Sequence, residues 1–207
     1  MLKRLRSCAI GVLLLELALA ASASAQILNS ERIEQTFGSY GIDVLYSDEV
    51  LRLSNLYSEL GDQKVMRTLA IVAYPEIVDE AFATEHQEIL QGGSIGATFT
   101  AAGWEVVKTN LLFSEFRRGA DLAELMGGEP AGWLATHAYR LDIVRPGERY
   151  RYATIIEVHH PDYLNVEQLQ AIYSQAPPQD ESNNSLVRQL ALRGFEKLGE
   201  LGLSLSE

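Results

Sequence analysis

The hydrophobic pattern divides this chain into six strand-like and five helical stretches. The runs at 42–46, 50–57, 65–74, 104–116, 133–144 and 150–160 read as strands. Gly61-Asp62 predicts a hairpin between the second and third, and Arg145-Pro146-Gly147-Glu148 joins the last two. Asn29 and Ser30 are N-cap candidates for a first helix that ends near Gly38. Ala81, Phe82, His86, Ile89 and Leu90 recur at helical spacing within 79–90, and Gly92-Gly93 stops that helix. Ser94 caps a second short helix through Ala102. The segment 118–132 reads as a loop with a helical turn at 120–126, 166–174 as a helix, and 175–184 as a linker. Leu186, Leu190, Ala191 and Phe195 stripe a terminal amphipathic helix over 186–198. No internal repeat interrupts this order. It predicts an α+β domain, an antiparallel sheet with helices packed on one side. Residues 165–207 form a helical extension that packs on the sheet or on a partner.

Two strands carry a charge in an otherwise apolar phase. Residues two apart share a face, so Arg67 is expected beside Val65, Leu69 and Ile71, and Glu157 beside Ala153 and Ile155. An unpaired inward charge costs several kcal/mol, on the order of its desolvation penalty. The two either form an ion pair or face a polar ligand.

The ends and the charge balance narrow the classes. Lys3, Arg4 and Arg6, an apolar run from Cys8 to Ala21 and Ala23-Ser24-Ala25 predict a cleaved signal peptide over 1–25. The protein is then periplasmic or secreted, with no integral membrane segment after cleavage. Cleavage would remove three basic residues and one acid, a net loss of two positive charges, taking −11 to −13. The single cysteine leaves with the signal, so neither a disulfide nor a thiol nucleophile is expected. Such acidity disfavours nucleic acid and anionic membranes as partners.

Four segments resemble the chorismate lyase fold, shared by chorismate–pyruvate lyases and the effector-binding (UTRA) domains of some transcription regulators. They are Phe37-Gly38-Ser39-Tyr40-Gly41-Ile42-Asp43-Val44, Met66-Arg67-Thr68-Leu69-Ala70-Ile71-Val72, Gly93-Ser94-Ile95-Gly96-Ala97-Thr98-Phe99, and Ala153-Thr154-Ile155-Ile156-Glu157-Val158 with Pro161 and Tyr163. The resemblance spans about residues 29–164 and divides the chain into a signal at 1–25, a chorismate lyase-like domain at 26–164 and the extension at 165–207. It implies a pocket for a small aromatic carboxylate. Arg67 would bind the carboxylate through two parallel hydrogen bonds, helped by backbone N–H groups near Ile95 and Gly96. Glu157 would meet the hydroxyl or ether end, Ile33 would line the pocket, and Lys108 is the nominee for a second carboxylate. If the chain is an enzyme, Arg67 and Glu157 are its catalytic pair, in a C–O lyase that needs no cofactor. Ala97 stands where these enzymes often carry a basic residue, so the expectation is a pocket with a changed ligand rather than retained lyase activity.

Other chemistries find little footing. His159 and His160 are strand neighbours on opposite faces, and His86 and His137 are scattered, so no metal site is expected. Glu85-His86 reads as a helix-surface pair. Ser94 follows a helix, not the strand that a nucleophile elbow requires, and no Lys-Ser/Thr follows the glycines as a phosphate loop would need. Trp104 and Trp133 read as core or rim. Two function classes result: an exported binding or lyase-like protein for a small carboxylate, and an envelope interaction protein that uses the fold and the C-terminal helix without catalysis.

Overall fold

The computed structural model describes residues 27–117, 126, 132–173 and 180–203. The expected signal at 1–25, nearly all of the 118–132 loop and part of the linker lie outside the described residues. The elements are α1 (Asn29–Phe37), β1 (Gly41–Ser47), β2 (Leu51–Leu60) and β3 (Gln63–Ala73). A 3-10 turn (Glu80–Phe82) leads into α2 (Ala83–Leu90), α3 (Ile95–Ala101) and β4 (Glu105–Arg117). Then come β5 (Trp133–Arg145), β6 (Glu148–His159), α4 (Val166–Ile172) and α5 (Glu181–Glu200).

The strands form one six-stranded sheet in the order β1-β2-β3-β6-β5-β4. Every neighbouring pair is antiparallel, and both expected hairpins form. The fold is α+β. Pairing β3 with β6 brings Thr68–Ala73 against Thr154–His159, which joins the two hairpins at the centre of the sheet.

Helices cover both faces of this sheet, not one. Leu53, Leu69, Ile71, Ile156 and Val158 pack against Val187, Leu190 and Leu198 of α5. On the other face Phe82, Ile89 and Phe99 cover Val72, Tyr139 and Ile155, while Ile33 and Leu169 cover Leu56, Ala70 and Ala135. The physical reason is that β3 and β6 are apolar in both phases, so a single helical layer would leave one hydrophobic face in water. Gly194 lets α5 come close: a Cβ there would stand 2.7 Å from Ile71 Cδ1.

A bulge changes the face of Arg67. Leu56 pairs with Thr68 and Tyr57 with Met66, so the register skips Arg67. Met66 therefore joins Leu69 and Ile71 under α5. Arg67 instead reaches Ser58 of β2 and Phe37 of α1 on the other face. The expected company of Val65, Leu69 and Ile71 fails because one inserted residue flips the alternation.

Candidate functional site

A partly enclosed cavity lies on the α1–α3 face. Its floor is the sheet, and its rim is the start of α1 and the Ser94-Ile95-Gly96 turn. Water centres could range over about 70 Å³ within it. At roughly 10–15 Å³ per water, that is room for a handful of waters or one small organic molecule. Leu28 packs on Gly96 at the rim, where a Cβ would lie 2.7 Å from Leu28 Cδ1. Among the described residues, three charged side chains line the cavity: Arg52, Lys108 and Glu157.

Glu157 comes from β6, where its phase points at the cavity together with Ile155. It is 4% exposed. Its Oε1 accepts a hydrogen bond from Asn29 Nδ2 at 3.1 Å, and its buried Oε2 has no partner. Asn29 Nδ2 also donates to Thr68 Oγ1 at 3.2 Å, and Tyr163 Oη donates to Asn29 Oδ1 at 2.7 Å. Thr68 Oγ1 is 3.0 Å from His159 Nδ1. Asn29 is the first residue of α1, but its side chain turns into this network and does not cap the helix.

Lys108 enters from β4. Its Nζ lies 4.4 Å from the Tyr139 ring centroid and 3.5 Å from Tyr173 Oη. It makes no ion-pair contact with Glu157. Burial opposes its charge, but the Glu157 carboxylate, with Tyr139 and Tyr173, outweighs that and raises its pKa. The ammonium therefore stays charged.

Arg52 of β2 is 1% exposed. Its Nε donates to Ser54 Oγ at 2.9 Å, and its Nη1 donates to the carbonyls of Ile89 at 3.0 Å and Gly93 at 2.8 Å. A cation on these carbonyls matches the negative end of α2 and fixes the turn that forms the rim. Its Nη2 and the Tyr40 hydroxyl are buried without a hydrogen bond of good geometry, although Tyr74 and Ser94 lie close by. Burial raises the Tyr40 pKa, with Ser94 and Arg52 opposing.

Two histidines border the site. His137 pairs in register with Glu157, and its Nε2 is 2.9 Å from Asn110 Oδ1. Burial, reinforced by Lys108 and His159, lowers its pKa to about 2. Burial lowers His159 to about 4, with Glu157 opposing. Both are neutral at pH 7. Among the described residues no cluster of His, Cys, Asp or Glu could hold a metal ion.

The residues nominated from sequence separate into two places. Ile95, Gly96, Lys108 and Glu157 line the cavity. Arg67 and Ile33 do not. The Arg67 guanidinium sits 3.7 Å from the Phe37 ring centroid and its Nε donates to Ser58 Oγ at 2.8 Å. Burial lowers the Arg67 pKa, with Asp162 opposing. The Arg67–Glu157 ion pair is not formed, and Ile33 is fully buried beside Leu56, Leu164 and Leu169. Sequence reasoning passed over Arg52 and the inward role of Asn29. Arg52 shares its phase with Ser54, Leu56 and Ser58, and so looks like part of a solvated face. Its only signal was that the adjacent strand β3 is apolar in both phases over 69–73.

Compared with protein-family models and with curated proteins, the chain matches none.

Proposed function

We propose that this protein binds a small monoanionic organic acid, of the aromatic carboxylate class, in the cavity between α1, α3 and the sheet. One observation carries the reading: Glu157, whose Oε2 is buried and unpartnered, lines a cavity that Arg52 and Lys108 also line. A buried carboxylate oxygen without a donor is costly unless a ligand supplies one. With two cations against one carboxylate, the site is electrostatically matched to a guest carrying one negative charge.

The chorismate lyase-like fold belongs to this proposal, and the antiparallel α+β sheet supports it. Lyase chemistry has less support. The arginine that the resemblance assigns to the ring carboxylate is outside the cavity, and Arg52 offers the nearer guanidinium. Export through the segment 1–25 is likewise part of the proposal and places the ligand outside the cytoplasm. The interaction-protein alternative is weakened because the apolar residues Val187, Leu190 and Leu198 of α5 are covered by the sheet.

The test is calorimetric titration with 4-hydroxybenzoate and a panel of aromatic monocarboxylic acids. Lys108→Met should weaken the best ligand by about tenfold or more, the scale of one charge-assisted hydrogen bond. Arg67→Ala should leave it within about twofold, since that side chain is elsewhere. A wild-type protein that binds no acid in the panel overturns the reading.

A further inference from the structure

We infer that Asn29 sets the ligand specificity of the cavity, by holding Glu157 so that it presents a bare hydrogen-bond acceptor to the ligand; this rests on the carboxylate-binding reading of the same cavity. The hydrogen-bond chain fixes its own proton positions. The Glu157 carboxylate only accepts, so the amide end that meets it is Nδ2, which leaves Asn29 Oδ1 to accept from Tyr163 Oη at 2.7 Å. The two protons on Asn29 Nδ2 then go to Glu157 Oε1 at 3.1 Å and Thr68 Oγ1 at 3.2 Å. Having accepted there, the Thr68 hydroxyl can donate to His159 Nδ1 at 3.0 Å, and a neutral His159 has a free lone pair to receive it. Burial raises the Tyr163 pKa, so the first donor of the chain keeps its proton.

The chain thus branches at Asn29 and ends at His159 on one side and at Glu157 on the cavity side. Oε1 is occupied, and Oε2 is left as an acceptor. A guest that meets it must bring a proton, as a hydroxyl or an amine does. A methoxy oxygen or a bare ring edge would leave the carboxylate unpaired, and sites built around a buried polar group reject such analogues strongly. The class selected is a monoanionic acid that also carries a hydrogen-bond donor. Asn29 decides this because it is the group that pins Oε1. Without it, the carboxylate is free to turn and no longer presents a fixed acceptor. Asn29 acts through Glu157 and is a positioning residue.

The experiment measures a preference, which a merely structural role would not move. Each of the 2-, 3- and 4-hydroxybenzoates is titrated against its methoxy counterpart, with benzoate as the reference acid. For the tightest isomer, the wild type should prefer hydroxy over methoxy by about tenfold or more. Asn29→Ala should reduce that ratio to within about threefold. Tyr163→Phe removes only the donor to Asn29 and should lower the ratio at least about threefold; it carries the test if Asn29→Ala does not fold. Variants that keep the wild-type ratio, or that lose all acids equally, overturn the role of Asn29 alone, as does a wild type with no hydroxy preference. A wild type that binds no acid overturns the cavity reading itself.

Discussion

Histidines 137 and 159 are buried a short way from a carboxylate and a lysine, yet neither carries charge at neutral pH. Burial is the first cause for both, which lowers His137 to about 2 and His159 to about 4. The unfolded chain takes up these protons near pH 6.5. Between that value and about pH 4 the unfolded state binds more protons than the folded one at His159, so stability falls as pH falls. For His137 the same loss continues toward about pH 2. From pH 7 to pH 5 the two should cost on the order of 1–2 kcal/mol each, read as a drop in the urea midpoint. Imidazole resonances in NMR should show both rings neutral at pH 5, and a ring titrating near pH 6.5 would contradict their assignment. His86 illustrates what was legible at this scale. Its place on an apolar helical stripe was readable, and it is indeed buried, with its Nδ1 2.9 Å from Tyr152 Oη. The surface pairing expected with Glu85 gives way to that contact. Arg52 and Asn29 were harder, because one sits among serines and the other imitates a helix cap.

At the scale of elements, strand and helix positions followed the hydrophobic pattern closely, and the failures lie in alternation across a bulge. Arg67 and Tyr152 are each skipped in the register of their strand pairs. A bulge adds one residue and leaves no mark in composition, so counting by twos carries a side chain to the wrong face. The location of α5 was left open between sheet and partner, and close contact at Gly194 resolves it. Gly194→Val should force Ile71 aside and cost about 1–3 kcal/mol, the usual penalty of overpacking. Chemical denaturation measures it, and an unchanged midpoint would mean that α5 does not pack as described. A surface control such as Gly199→Ala, which meets nothing within 4 Å, should be neutral or stabilising.

For the whole molecule, the sheet is a shared wall with an apolar layer under α5 and a layer broken by a polar cavity above. The first is built around apolar contacts, as Leu53, Ile71 and Val158 against Leu190. Ending the chain after Tyr173 would expose that face. The truncated protein should bind a hydrophobic dye such as ANS and aggregate, while the full chain does neither. A truncated protein that stays monomeric and dark would show that α5 is not needed to cover the sheet. The layer above is organised differently, around Arg52. Its Nη1 already restrains the carbonyls of Ile89 and Gly93, while its Nη2 is buried near Tyr74 and the same side chain lines the cavity. A guest that engages this guanidinium loads the tether that holds the end of α2. Occupancy and helix anchoring are thus mechanically linked through a single planar group, and neither can be retuned without the other feeling the change.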